Sequence, residues 1–169
     1  MDFVLLADRI EAIPQIAAWY FDQWGHLDVG AGAKSFEDKL QHFLCRDKIP
    51  LMILAIEHEE ILGVAQLKFR EMDIYPEREH WLGGVYVPAQ HRGKGIAAQV
   101  VSQALRIAGS LGVEQLHLQT EQLDGGLYAR LGWVPREQVN YRGIEVLVME
   151  NDMGVHTRFS RPSADASGG

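Results

Sequence analysis

A chain of 169 residues with 47% hydrophobic and 23% charged side chains has the make-up of one ordinary globular domain, which buries roughly 70% of the surface its unfolded chain exposes. The formal charge of −7 argues against a nucleic-acid binder, whose footprint is a basic patch, and mildly favours a cationic small partner. A lone cysteine, Cys45, excludes an intramolecular disulfide and a multi-cysteine zinc site and suits a reducing compartment.

The opening "MDFVLLADRI" contains a short strand, "DFVLL", and has neither a basic segment nor a cleavage site, so no secretory leader is expected. Ile13, Ile16, Ala17, Tyr20, Phe21 and Trp24 then recur at helical spacing, with Pro14 suited to a first turn. A glycine-bearing loop leads to Ser35, the expected N-cap of a second helix whose apolar face is Phe36, Leu40, Phe43 and Leu44. "LMILAIE" and "ILGVAQLKFRE", separated by "HEE", read as a strand hairpin. The longest apolar run, Ile49 to Ile56, is far short of the roughly 18–20 residues that cross a bilayer, so a cytoplasmic protein without membrane contact is expected.

A polar loop, "MDIYPERE", precedes the strand "HWLGGVYV". Ile96, Ala97, Val100, Val101, Ala104, Ala108 and Leu111 mark a long helix closed by Gly112. The strand "EQLHLQT", a short helical stretch "DGGLYARLG" and two last strands, "WVPREQV" and "GIEVLVME", complete a domain expected over 1–153. Residues 154–169 lose apolar periodicity and gain Ser, Gly and Pro, as a disordered tail does. This order predicts an α/β fold in which a mixed, mostly antiparallel central sheet carries helices on both faces, with one parallel strand–helix–strand crossover.

The bend "VYVPAQHRGKGIA" holds the chemistry. A Walker loop fails because Gly95, and not Ser or Thr, follows Lys94. "GKGIAA" satisfies a dinucleotide fingerprint formally, but it sits mid-chain after a β-rich half. The third reading is Q-x-x-G-x-G, with Gln90, Gly93 and Gly95 entered from a strand and leading into a helix. Amides of such a loop and of the helix's first turn lack intrahelical acceptors and sit at the positive end of the macrodipole, where they suit a diphosphate. Arg92 and Lys94 add charge for a further phosphate, an arrangement that suits coenzyme A.

From about Leu51 to Glu150 the chain resembles the GNAT superfamily of N-acetyltransferases: "VYVPAQHRGKGIA" is similar to the family's acetyl-CoA loop, "LGVEQLHLQT" to its next turn and strand, and "LYARLGW" to its late helix. The resemblance implies a GNAT-like acyltransferase fold and direct transfer of acetyl from acetyl-CoA to a primary amine of a small molecule or peptide. It implies that Val85, Tyr86 and Val87 pair with the pantetheine amides, one N–H polarising the thioester carbonyl. Gln90, Arg92, Gly93, Lys94, Gly95, Ile96 and Ala97 would take the phosphates, and Tyr128 would assist the departing thiolate. His117 is the first candidate for the base, with Glu79, His80, Glu121 and a water chain as rivals. Helix packing for Tyr128 and plain burial for His117 stay open as structural alternatives.

"HEEIL" lacks the second histidine of a zinc protease, since Leu62 stands there, and the seven histidines show no i, i+4 pairing, so no metal is expected. Trp24 and Trp81 are either core or acceptor walls. Asp28, Glu71, Asp73, Glu77 and Glu79 either attract an amine or simply solvate loops. A coenzyme A-binding regulatory module is the alternative to an enzyme, and either a monomer or a homodimer fits.

Overall fold

The computed structural model describes residues 1–28, 30 and 32–153; the expected tail lies outside the described residues. The elements are β1 (Asp2–Leu5), α1 (Ile13–Trp24), α2 (Ala33–Leu40), β2 (Leu51–Glu57), β3 (Glu60–Phe69), β4 (His80–Tyr86), α3 (Ile96–Ser110), β5 (Gln115–Thr120), α4 (Gly126–Arg130), β6 (Val134–Tyr141) and β7 (Ile144–Asp152). The seven strands form one sheet in the order β1-β2-β3-β4-β5-β7-β6. Every neighbouring pair is antiparallel except β4 with β5, which α3 joins as the expected parallel crossover.

β2 buries Leu51 to Ile56 without interruption because both its faces are covered. Leu51 and Ile53 pack under Val100, Val101 and Ala104 of α3. Met52 and Leu54 pack under Ile13, Ile16 and Ala17 of α1 and Phe36 and Leu40 of α2. Each such large side chain contributes about 2 kcal/mol of transfer free energy. α3 ends as its sequence predicts: Gly112 is left-handed at φ 82, Val113 N–H donates to Ala108 O at 3.1 Å and Gly112 N–H to Gly109 O at 3.1 Å, the paired bonds of a Schellman cap.

One local expectation changes. α2 begins at Ala33 with Gly32 as its N-cap, so Ser35 lies inside the first turn, its amide donating to Gly32 O at 3.0 Å. The helix starts earlier because Ala33 and Lys34 are better helix formers than the expected cap allowed for. Helices cover both faces of the sheet as expected, α3 on one and α1 and α2 on the other. Across β4, β5 and β7 the face opposite α3 is closed by the β3–β4 loop, with Met72 and Tyr75 packing on Trp81, Val146 and Val148.

That loop is fastened firmly. Arg78 donates two hydrogen bonds of 2.6 Å to Glu137 of β6, and its guanidinium lies 4.2 Å from the Tyr75 ring centre. Trp81 Nε1 donates to Arg78 O at 2.7 Å, while Tyr141 donates to Asp73 at 3.0 Å. A bidentate pair with its guanidinium largely buried holds geometry better than a single surface ion pair. The loop is therefore tied to β6 and to the start of β4.

Candidate active site

β4 and β5 share one register pair, Trp81 with His117. Beyond it β4 continues to Tyr86 along β3, and β5 continues to Thr120 along β7. The two parallel strands diverge, leaving a wedge between Leu82–Val87 and Leu118–Thr120. A strand edge in such a wedge carries amide and carbonyl groups with no strand partner, ready for an extended ligand.

A β-bulge shapes the wall of the wedge. Gln66 pairs with Gly83 and Val64 with Tyr86, so two steps of β3 face three of β4. Gly84 makes this possible at φ 57, and its carbonyl accepts the buried Tyr20 hydroxyl at 2.5 Å. α1 thus fixes the bulge from one face. Burial holds the Tyr20 phenol well above its ordinary ionisation range, so it remains a donor.

At the end of β4 the chain makes a short turn, Ala89–His91, and enters α3 through two left-handed glycines, Gly93 at φ 79 and Gly95 at φ 76. A Cβ built on either meets no atom within 4 Å, so both border open space. Gly95 is the N-cap of α3, and no side chain caps the helix. The first-turn amides of Ile96 and Ala97 can therefore bind an anion. Ile96's side chain is buried among Ala55, Leu62 and Val87, seating the helix start on the sheet.

Arg92 turns back: its Nε donates to Val87 O at 2.8 Å and its guanidinium lies 5.7 Å from the Tyr86 ring centre. His91 Nε2 lies 2.7 Å from Glu60 Oε1, tying the loop to the β2–β3 hairpin. Gln90 and Lys94 are exposed.

On the α3 side of the wedge stands Tyr128, half-buried against the main core and edge-on to Trp133 at 6.1 Å between ring centres. Burial pushes its phenol up to about 12, helped by the negative charge of Glu71. It is a protonated donor at neutral pH.

This wedge, loop and phenol coincide with a match between residues 13–133 and the Acetyltransferase (GNAT) family. The chain is a GNAT acetyltransferase. Acetyl-CoA is its co-substrate, and the loop's open glycine cradle fits the diphosphate.

No curated relative matches the acetyltransferase's sequence. Among solved structures it is similar to aminoglycoside 6'-acetyltransferase type Ii, with TM-score 0.71, 16% identity, and 90% of this chain and 97% of that one covered. An aminoglycoside 6'-N-acetyltransferase complexed with coenzyme A gives TM-score 0.70 at 15% identity, covering 90% and 97%. Mutant forms of the spermidine/spermine N-acetyltransferase SpeG from Vibrio cholerae give 0.65 at 16%, covering 95% and 99%. No helix among the acetyltransferase's described residues is long and apolar enough to cross a membrane.

The expected base candidates scatter. His117 is 5% exposed, under Trp81 at 5.4 Å between ring centres, with Nε2 4.0 Å from Glu150 and Nδ1 without a hydrogen-bond partner. Glu79 and Glu121 are exposed, and His80 packs on Phe69. Of the aromatic pair, Trp81 is fully buried core. Trp24 is half-buried and joins Trp19 around Tyr86, at 6.3 and 5.5 Å. Of the loop acids, Asp28 pairs with Lys39 at 3.2 Å, Glu77 with Arg78 at 3.9 Å and Asp73 with Arg142 at 3.4 Å.

Glu71 differs from these. Its carboxylate is 2.7 Å from Lys68 Nζ, with the two side chains 18% and 23% exposed, and it lies 3.3 Å from where a Cβ on Gly83 would stand. Its negative charge adds to the upward shift of the Tyr128 phenol. Sequence alone singled it out only as one charge in a polar loop.

Burial holds the His117 imidazole below its ordinary 6.5, with Glu150 opposing. The fold therefore favours the neutral ring, and the unfolded chain binds the extra proton first. Stability is accordingly lost as pH falls through 6.5 towards the folded value. Denaturant titrations across that window are expected to show a shallower loss for His117→Gln than for the wild type; equal slopes would remove His117 as the source.

Proposed function

We propose that this acetyltransferase moves acetyl directly from acetyl-CoA to a primary amine of a small molecule or peptide. The observation that supports this best is the convergence on one wedge of an anion-binding loop, an unpaired strand edge and a protonated phenol. In this reading Gln90, Gly93, Lys94, Gly95, Ile96 and Ala97 hold the phosphates. Arg92 adds charge there while bracing the loop on Val87. Amides of Val85, Tyr86 and Val87 line the pantetheine, one of them donating to the thioester oxygen as negative charge builds.

The amine nitrogen attacks the carbonyl carbon; the C–N bond forms and the C–S bond breaks. Tyr128 donates a hydrogen bond to the departing sulfur. An ordinary thiol ionises near 8.5, below the phenol at about 12, so Tyr128 steadies the thiolate without surrendering its proton. The ammonium loses one proton through Glu71 to solvent before attack, a better-placed route than His117 beneath Trp81, and the second leaves the new amide nitrogen as the thiolate takes up a proton from solvent, so that coenzyme A departs as its thiol. A coenzyme-binding module is not favoured, because binding alone needs the loop but not a carboxylate and a phenol across the acyl position.

A panel of monoamines, polyamines, aminoglycosides and peptide N-termini, each with acetyl-CoA, tests this. Free thiol is expected to appear with at least one amine, together with a product heavier by one acetyl group. Thiol release that no amine accelerates would overturn it.

A further inference from the structure

Lys68 is placed as an acceptor would be. Its backbone pairs with Trp81, yet its side chain leans along β4 until Cε and Nζ lie 2.5 and 2.9 Å from where a Cβ on Gly83 would stand. The missing side chain at Gly83 makes the berth. There the ammonium meets Glu71 at 2.7 Å in a mostly buried pair, whose desolvation cost only such close geometry offsets.

The two faces of the sheet supply the rest. Leu82, Leu116 and Leu118 share a cluster with α3, against which Tyr128 packs. Lys68, Glu71 and Gly83 gather on the other side, one turn of the bulge from Val85. Two residues of strand span about 7 Å, within the swing of a lysine arm. A thioester in the wedge would have a primary amine over one face and a phenol for its sulfur on the other.

Resting on the acetyl-transfer reading above, we propose that Lys68 occupies the acceptor's place on Glu71 and, with acetyl-CoA bound and no amine present, itself takes the acetyl group. Nζ loses a proton through Glu71 to solvent and attacks the carbonyl carbon. The N–C bond forms, the C–S bond breaks, and coenzyme A leaves as its thiol. The product is a neutral amide that no longer pairs with Glu71, which frees the carboxylate for an incoming ammonium. The acceptor class is therefore a compact primary alkylammonium of lysine type.

The test incubates the purified full chain with acetyl-CoA alone and maps acetylated peptides by mass. One acetyl is expected at Lys68, at a rate independent of protein concentration and at least tenfold above that at exposed Lys34 and Lys48. Glu71→Gln should lower that rate at least tenfold while acetyl-CoA still raises the variant's Tm. An unmodified Lys68, or labelling no faster than at the exposed lysines, overturns the proposal. The amine panel, run in parallel, separates the two readings: thiol release with an amine but no mark on Lys68 sinks this inference and leaves the transferase reading intact.

Discussion

Replacing Tyr128 with Phe is expected to lower kcat by roughly 100-fold, the lower range for losing one hydrogen-bond donor aimed at developing negative charge, while acetyl-CoA affinity stays within about twofold. The reasoning is positional. The phenol stands at the wedge and is held protonated by burial, with Glu71's charge adding to the effect. Its ring packs against Trp133, and Phe keeps that contact. Loss of the hydroxyl thus removes a hydrogen bond that strengthens only as the sulfur becomes anionic, which lowers kcat and kcat/KM together. A fall in affinity with kcat preserved would mean that Tyr128 is a packing residue.

The second large effect is expected at Gly84. Valine there must adopt φ 57, a region that β-branched residues avoid at a cost of about 1–3 kcal/mol. Its Cβ would also lie 2.6 Å from the Tyr20 hydroxyl and 2.7 Å from Gln66 Oε1. Something must shift, and Tyr20 and Gln66 are both confined. Together these predict a loss of about 2–4 kcal/mol of unfolding free energy and, because the bulge would flatten, loss of nearly all turnover. Tyr20→Phe provides the contrast: it removes one hydrogen bond, costs about 1 kcal/mol and leaves the backbone angle allowed. Chemical denaturation and thiol release on both variants check the ordering; a Gly84→Val protein as active as Tyr20→Phe would show that the bulge does not serve the reaction.

Much of the candidate site is local in sequence, which is why its backbone geometry could be anticipated there. Gln90 to Ala97 form one continuous stretch in which glycines, cations and a helix start lie side by side, so their geometry follows from backbone preference alone. The long helix with Gly112, and the strands on either side of it, were legible for the same reason. Glu71 was not, because its meaning depends on Lys68 from β3 and the bare surface of Gly83 on β4, residues brought together only by pairing. Two adjacent glycines inside the strand "HWLGGVYV" did carry a signal, since glycine in a strand marks a bulge or a close approach. The surroundings of His117 were hidden for a related reason. Alternation along "LHLQT" puts it on the face opposite Leu116 and Leu118, but nothing in the sequence reveals that Trp81 and the fastened loop seal that face.

The wedge also explains why a sheet otherwise antiparallel keeps one parallel pair at its centre. Antiparallel strands closed by a tight turn stay paired along their length, whereas β4 and β5 are tethered only through α3 and can part after Trp81 and His117. Bulge, divergence and helix start then lie in sequence along a single stretch from Gly83 to Ala97.

The account stands most directly on where acetyl-CoA lies. A crystal structure of the full chain with acetyl-CoA is expected to show the pantetheine between Leu82–Val87 and Leu118–Thr120, its diphosphate on the amides of Gly93 to Ala97, and its sulfur beside Tyr128. Coenzyme density outside the wedge, with β4 and β5 unchanged and the glycine loop bare, would contradict it.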